Sequence, residues 1–291
     1  MKEKRVTRVT NQILFLAPAV FFFSLFVIIP FLISFGTSFS KWNGVSNNFQ
    51  WNGLDNYLKA LGDEDFFKSL AYTLKNTVVV TILANGIGLL FALFLTSKIK
   101  AASFFRSVLI IPNILSGIVL GFIWNFIFIQ GLPALGKWMG VKFLQISWLG
   151  TPRTAFWSIV IVSVWQMSGY VMLIYIAGIL NVPDSVIESA YSDGAKNGQL
   201  IRYIIFPYLK PAFLICFFWT ISKNLILFDL PFSLTSGGPF KSTETMAINI
   251  YQEAFINNNY GYGASKAMLF FLVVIAVSIC QVYMNRRKED E

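Results

Sequence analysis

Histidine is absent from this 291-residue sequence, and cysteine occurs only twice. The missing imidazole excludes histidine as a general base, a nucleophile or a metal ligand. Cys216 and Cys280 both lie inside long apolar runs, where a cysteine serves as a small apolar side chain. The two cysteines therefore predict neither a disulfide nor a metal site.

Charged residues are also scarce. They make up 13% of the chain, whereas about 25% is usual in a soluble domain. Hydrophobic residues make up 56% and aromatic residues 17%, far more apolar surface than one water-soluble core needs, so the chain is predicted to lie in a bilayer. The net charge of +9 is not gathered on a basic face with interleaved aromatics. No nucleic acid is expected as a partner, and anionic lipid headgroups are.

Several apolar runs are long enough to cross a membrane as helices, which takes roughly 20 residues. The first run is too long for a signal peptide, and no small-residue cleavage site follows it. We therefore predict an all-α integral membrane protein with six transmembrane helices. The spans are expected at about residues 13–35, 72–96, 108–128, 155–180, 213–230 and 267–283.

Six spans place both termini on the same side of the membrane. Thirteen Lys and Arg residues then fall on that side and nine on the other, and the thirteen crowd the helix ends. The positive-inside rule makes this side the cytoplasm. We expect a multi-pass protein of a bacterial-type inner membrane, with cytoplasmic tails at 1–12 and 285–291, a permease domain at 13–284 and a cytoplasmic loop at 181–212.

The cytoplasmic loop is predicted to form two short helices. Ser185 and Glu188 have the spacing of a capping box, so the first helix is expected to begin near Ser185. Gly194 is expected to end it, and a second helix from about Gln199 to Phe206 is expected to stop at Pro207. Four side chains share one face of the first helix and are expected to be buried: Val186, Ile187, Ala190 and Tyr191.

The same loop carries a spaced motif. Glu188-Ser189-Ala190 is followed after three residues by Gly194, and nine residues later by Ile204–Pro207. This resembles the EAA loop of ABC importer membrane subunits, with Ser189 and Phe206 as the departures. The resemblance implies a type I ABC importer permease fold, whose first loop helix is a coupling helix seated on a cytoplasmic ATPase. It assigns this coupling role to Glu188, Ser189, Ala190, Asp193, Gly194, Ala195 and Pro207.

The segment between the last two spans carries a second pattern. Its residues resemble the signature of the carbohydrate, or maltose-type, branch of these permeases. The matching positions are Thr235–Pro239, Ser242–Thr245, Tyr251, Phe255 and Gly261–Ser265. The resemblance implies a sugar as the substrate, with an oligosaccharide expected, moved by alternating access. It also implies four kinds of partner: a similar second permease subunit that makes a heterodimer, two ATPase subunits, an extracellular or periplasmic solute-binding protein, and the carbohydrate itself.

No ATP site or catalytic residue is expected in the chain. A G-x-x-x-x-G-K pattern at Gly131, Gly136 and Lys137 has Trp138 where a phosphate-binding loop needs Ser or Thr, and it follows a membrane helix rather than a strand. The resemblance therefore places ATP and Mg on the partner ATPase subunits, with no cofactor in this chain.

Polar groups inside apolar spans are costly unless they face a cavity or a partner, so they mark candidates for a substrate pathway. Aromatic rings beside them could stack on sugar rings, and Trp165 and Phe218 are further candidates for stacking. Asn85, Asn113 and Asn125 are weaker candidates. For every one of these residues the alternative is hydrogen bonding between helices or snorkelling at the end of a span. The pathway candidates are Gln166, Tyr170, Trp219, Lys223, Asn224 and Asp229.

Gly117 and Gly121 form a small-x-x-x-small pattern in the third predicted span, which predicts close helix packing.

Other functions remain open at this point. A secondary transporter that needs no ATPase would place ionisable groups in mid-membrane and show internal repeats. Apart from Lys75 at the start of the second span, Lys223 and Asp229 are the only charges placed inside the spans, and no repeat is evident. An ABC permease for glycerol phosphate, a metal chelate or an amino acid is the other alternative.

Overall fold

The structure is a computed structural model that describes residues 15–46, 49–97 and 101–287. The predicted tail at 1–12 lies outside these ranges, as do residues 288–291 of the predicted C-terminal tail. Within the described ranges the regular elements are helices, and the one exception is an isolated antiparallel bridge between Ser40 and Trp51. The expected all-α fold is confirmed.

Twelve helices are numbered here over the described part of the chain. Three of them contain a π-helical turn, at Ser24–Ile28, Ile127–Gly131 and Ile201–Ile205; a fourth such turn, Gln252–Ile256, directly follows α11. The helices are α1 Phe15–Thr37, α2 Asp55–Leu61, α3 Glu64–Thr96, α4 Ala102–Ile114, α5 Gly117–Met139, α6 Pro152–Leu180, α7 Asp184–Ser192, α8 Asn197–Tyr208, α9 Lys210–Leu225, α10 Asp229–Thr235, α11 Met246–Tyr251 and α12 Tyr260–Arg287.

Among the described helices, five are long and apolar enough to cross a membrane, namely α1, α3, α5, α6 and α12. The α8–α9 pair, bent by 65° at a short break, makes up to six. These lengths agree with the number of spans expected from hydropathy.

The third predicted span, 108–128, differs from the structure. Two residues in extended conformation, Leu115 (ψ 141°) and Ser116 (ψ 140°), interrupt the helix and separate α4 from α5. Pro112 weakens the end of α4 because it cannot donate a backbone hydrogen bond. Hydropathy reports only apolar composition, so it could not show this break, and α5 then continues to Met139.

The fifth predicted span, 213–230, also differs. Helix α9 ends at Leu225, the chain turns through residues 226–228, and the short helix α10 begins at Asp229. Asp229 lies in the first turn of α10, where a carboxylate is favoured by the positive end of the helix dipole.

The chain divides into two compact units, one made of residues 1–63 with 250–272 and the other of 64–249 with 273–291. In the second unit α3 and α6 pack closely, and a Cβ at Gly88 would lie 2.7 Å from Val171 Cγ1. A buried polar network joins three helices there: Tyr175 Oη donates to Asn85 Oδ1 at 2.8 Å, and Asn85 Nδ2 donates to Thr220 Oγ1 at 3.1 Å.

The first unit is held by polar contacts of its own. The buried side chain of Asn56 donates to the carbonyls of Ser38 (3.0 Å) and Ser40 (2.8 Å). The side chain of Lys266, only 1% exposed, pairs with Asp63 at 2.8 Å and with Glu253 at 3.5 Å. A buried charge needs such partners, so this cluster fixes the start of α12 within its unit.

Candidate functional site

Helix α7, which carries the spaced motif, begins one residue earlier than expected. Its N-cap is Pro183, in extended conformation, and no side chain caps the helix. The predicted capping box of Ser185 and Glu188 is therefore wrong. The proline carbonyl accepts the amide hydrogens of Val186 (3.0 Å) and Ile187 (3.4 Å), which places Ser185 inside the first turn rather than before it.

The end of α7 is as predicted. Gly194 adopts a left-handed conformation with φ +80°. Its amide donates to the Tyr191 carbonyl at 3.0 Å, and the Ala195 amide donates to the Ala190 carbonyl at 2.9 Å. This pair of hydrogen bonds is a Schellman motif, which needs glycine or asparagine at the left-handed position.

One face of α7 packs against a buried apolar cluster. Ala190 is buried in a cluster with Leu200, Ile205 and Leu209, and Ile187 packs against the same cluster. The burial expected for Tyr191 is wrong, because its ring is 50% exposed and its hydroxyl donates to Asn197 Oδ1 at 3.1 Å. The opposite face is open to solvent and carries Glu188, Ser189, Asp193 and Gly194.

Helix α8 is longer than the predicted second loop helix. It begins at Asn197 instead of Gln199 and runs past Pro207 to Tyr208. The π turn at Ile201–Ile205 precedes the proline. A hollow of about 280 Å³ lies between the end of α7 and α8, and its lining includes Tyr203.

An interhelical pocket of about 370 Å³ lies in the second unit. It brings together four of the six pathway candidates, Gln166, Trp219, Lys223 and Asp229, together with the weaker candidate Asn113. The amide of Gln166 donates to the Leu115 carbonyl at 3.2 Å, so its side chain is held at the break between α4 and α5.

The two other candidates do not line this pocket. Tyr170 packs against Trp219 with ring centroids 4.4 Å apart, so it supports the pocket wall. Asn224 is buried, and its amide donates to the Thr220 carbonyl at 2.8 Å and to Met167 Sδ at 3.3 Å. Asn224 therefore joins α9 to α6.

Sequence reasoning missed the backbone that shapes the pocket. The break before α5 and the break after α9 both contribute lining, through Leu115 and through residues 226–228. Irregular backbone at membrane depth is tolerated where it lines a cavity, because the free polar groups then meet water or solute. Pro112 and Pro231, each close to a break, were the available signals.

The glycine pattern of α5 packs against α10, which confirms the predicted close helix contact. A Cβ at Gly117 would lie 2.8 Å from the Cβ of Asp229, and one at Gly121 would overlap the side chain of Ser233. Asn125 binds the same helix by donating to the Leu234 carbonyl at 2.8 Å. Hydrogen bonding between elements, the alternative interpretation, describes the contact that Asn125 makes.

The second spaced signature folds into a braced turn. The hydroxyl of Thr243 lies 2.8 Å from that of Thr235 and donates to the Gly238 carbonyl at 2.6 Å. Glu244 is 1% exposed, and its Oε1 accepts from Asn249 at 2.6 Å and from Ser69 at 3.3 Å. These contacts tie the segment to the first turns of α3.

No cluster of three or more metal-ligating side chains occurs in the part of the chain that the structure describes.

Comparison with known proteins agrees with this architecture. Residues 84–290 match the family described as "Binding-protein-dependent transport system inner membrane component". The chain is 40% identical over 278 residues to the "Probable starch degradation products transport system permease protein AmyD" of Thermoanaerobacterium thermosulfurigenes, covering 96% of this chain and 94% of that protein. It is 32% identical over 252 residues to the "Multiple sugar-binding transport system permease protein MsmF" of Streptococcus mutans, covering 87% of each chain.

A solved structure shares the fold. The chain superimposes with a TM-score of 0.85 on a chain of a "bacterial alginate ABC transporter in complex with alginate pentasaccharide-bound periplasmic protein". The match covers 98% of this chain and 96% of that one at 18% identity, so it shows the type I importer permease fold alone.

Proposed function

Since this chain belongs to the family of binding-protein-dependent transport system inner membrane components, we propose that it is the sugar-translocating permease subunit of an ATP-driven importer for oligosaccharides. The observation that carries this proposal is the interhelical pocket, where Gln166 and Asn113 face a tryptophan at Trp219. Amide groups match sugar hydroxyls as donors and acceptors, and the indole offers an apolar face for a sugar ring.

The names of the relatives support a carbohydrate as the substrate. The Thermoanaerobacterium protein is named for starch degradation products and the Streptococcus protein for multiple sugars. Identities of 40% and 32% over most of the chain support the same fold in both relatives.

Helix α7 is the proposed coupling element. Its exposed face offers Glu188 and Ser189 to a partner, while Ala190 anchors the opposite face in the membrane helices. A force on the exposed face is therefore passed to the buried cluster, and from there to α6 and α9, which line the pocket. In this proposal Asp193, Gly194 and Ala195 keep the helix end rigid, and Pro207 lies in the last turn of α8.

The proposed assembly contains a second homologous permease, two ATPase subunits that hold ATP and Mg, and a solute-binding protein on the outer side. The termini and α7 face the cytoplasm. Binding of ATP closes the ATPases, α7 follows, and the pocket opens outward to receive sugar; hydrolysis returns it inward.

The test is sugar-stimulated ATP hydrolysis by the complex purified through this chain and reconstituted with its solute-binding protein. Glu188→Lys reverses a charge on the exposed face of α7, and Gly194→Asp strains a left-handed position that has open space around it. Both variants should lose most of the stimulation while the membrane subunits stay assembled. Glu64→Lys, at an exposed ion pair with Lys68, is the matched control and should behave as wild type.

Two results would contradict the proposal. One is purification of the chain without any ATPase together with unaided transport, which would indicate a secondary transporter. The other is full sugar stimulation of ATP hydrolysis in both Glu188→Lys and Gly194→Asp, which would mean that α7 does not couple hydrolysis to uptake.

A further inference from the structure

A second polar cavity lies in the first unit, formed by the segment after α1, helix α2 and the turn before α12. Its volume is about 490 Å³, within the range of small-molecule sites, and it shares no residue with the interhelical pocket. We call it the amide hollow. Its main lining side chains are Lys41, Trp42, Asn43, Asn52, Asp55, Asn56, Lys59, Asn258, Asn259 and Tyr262.

The wall of the amide hollow is held in place before any ligand arrives. Asn56 binds two carbonyls through its Nδ2, as described above, and its Oδ1 accepts from Asn52 Nδ2 at 3.2 Å. The indole of Trp42 is fixed by a 2.7 Å hydrogen bond from Nε1 to the Ser46 carbonyl. A pre-organised wall loses little conformational entropy on binding, which favours recognition of a small polar ligand.

The floor rests on the buried ion cluster. Tyr262 Oη donates to Asp63 Oδ2 at 2.8 Å, and the same carboxylate pairs with buried Lys266. Lys59 Nζ lies 4.0 Å from the centroid of the Tyr262 ring, which fixes the position of this ammonium at the hollow. Glu253, the other partner of Lys266, also accepts from Asn259 Nδ2 at 2.8 Å.

Some of the lining side chains are available to a ligand. Asn258 is exposed and has a left-handed backbone with φ +54°, and its amide makes no hydrogen bond within the described residues. Asn52 also lines the hollow; it uses one amide hydrogen for Asn56, and its Oδ1 accepts no hydrogen bond within the described residues. These groups offer both donors and acceptors, which is the pairing that vicinal hydroxyls require.

The charges favour a neutral ligand over an anion. The lining and floor contain three ammonium groups and three carboxylates, so the opposite charges balance. The lining alone has two ammonium groups and one carboxylate, and the floor, with one ammonium and two carboxylates, offsets this excess. A phosphate or carboxylate ligand would need a net excess of cations over lining and floor together, or a bidentate arginine, and these residues supply neither. The six groups are Lys41, Lys59, Lys266, Asp55, Asp63 and Glu253.

We propose that the amide hollow is an outer subsite for one or two units of a neutral oligosaccharide, separate from the pocket between the helices. The inference rests on the proposed function, since the sugar class and the outward orientation of the segment after α1 come from it. Such a subsite would hold the sugar at the outer face of the membrane.

The test is saturation-transfer difference NMR on the complex in lipid nanodiscs, without the solute-binding protein. Maltotriose, cellotriose and raffinose serve as separate probes. Asn258→Gly removes an amide and keeps the left-handed backbone, and Asn52→Ala removes the acceptor that Asn52 contributes to the lining. Asn257→Gly, at an exposed asparagine outside the lining, is the matched control, and Trp219→Ala reports on the interhelical pocket. Co-elution with the ATPase subunits checks assembly of every variant.

At least one probe should give a signal that falls threefold or more in Asn258→Gly and in Asn52→Ala, and that persists in Asn257→Gly and Trp219→Ala. Absence of a signal from all three probes overturns the subsite, and so does a signal that only Trp219→Ala removes. Sugar-stimulated ATP hydrolysis distinguishes failure of the subsite proposal from failure of the proposed function. If sugar stimulates hydrolysis but no NMR signal depends on the amide hollow, the subsite is wrong and the importer function is retained. A hollow variant that weakens only stimulation by the solute-binding protein would make this surface a protein contact instead.

Discussion

Tyr175 and Asn85 meet in the interior of the second unit, where the tyrosine hydroxyl donates a 2.8 Å hydrogen bond to the side-chain oxygen of the asparagine. Both residues are buried, and Asn85 extends the contact to Thr220 on α9. Three membrane helices are thus joined by one polar network. The sequence made Asn85 a weak candidate for the substrate pathway, with hydrogen bonding between helices as the alternative. In the structure Asn85 makes such an interhelical contact.

Tyr175→Phe should destabilise the complex by about 1 kcal/mol, because it leaves Asn85 Oδ1 buried without its donor. Thermal unfolding of the purified complex in detergent would show this as a lower midpoint. Tyr208→Phe, at an exposed tyrosine, is the control and should leave the midpoint unchanged. An unchanged midpoint in Tyr175→Phe would mean that the network adds nothing to stability.

Gly121→Ala should separate α5 from α10, since the added Cβ would overlap the side chain of Ser233. A loss of about 1–3 kcal/mol is expected from such overpacking, again measured by thermal unfolding. Gly131→Ala is the matched control, because a Cβ added at Gly131 would lie 3.9 Å from its nearest neighbours, the side-chain atoms of Ile127. Ser233→Gly in the Gly121→Ala background should recover part of the loss, and no recovery would argue against the contact.

Glu244→Ala should loosen the braced segment, because it removes one buried hydrogen bond to Ser69 and one to Asn249 at a position that is 1% exposed. The expected cost is about 1–3 kcal/mol for the loss of these buried hydrogen bonds. Glu244→Gln keeps Oε1 and should cost much less. Faster proteolysis of the segment 235–250 in the alanine variant, relative to wild type, would report the loosening directly, and equal rates in both variants would contradict it.

Lys223→Met distinguishes a neutral sugar from an anionic substrate such as glycerol phosphate. Lys223 lines the interhelical pocket together with Asp229. A neutral sugar needs neither charge, so its uptake should change by less than about threefold, within the small cost of one exposed charge. An anion would lose roughly tenfold or more, which corresponds to about 1.4 kcal/mol.

Gln166→Ala and Trp219→Ala test the pocket itself. Each should raise the sugar concentration for half-maximal ATPase stimulation by about tenfold, because one removes an amide and the other an aromatic face. Trp157→Ala, at an exposed tryptophan elsewhere on α6, is the control. Unchanged stimulation in both pocket variants would place the substrate contacts on the partner subunit.

Part of the candidate site was predictable from residue type. Gln166, Lys223 and Asp229 are polar groups in apolar runs, and their cost in a bilayer marks them whatever the fold. Asn224 satisfies the same rule and yet is buried between helices. The rule cannot tell a pocket from a helix interface, because both relieve the same desolvation cost.

The helix ends show the same limit. Gly194 was read correctly because only a residue free of Cβ strain suits its left-handed backbone. Ser185 was read wrongly because a capping box is a local pattern, and Pro183 took the N-cap position instead.

The sequence by itself determined that this is an all-helical membrane protein and a member of the importer permease class, because hydropathy and motif spacing act over short stretches of chain. Tertiary structure decided that the helices break at residues 115–116 and 226–228, near prolines that only hinted at it, and which polar side chains meet there. It also decided that distant segments close the amide hollow. These features depend on contacts between residues far apart in sequence, and no local pattern of residue types encodes such contacts.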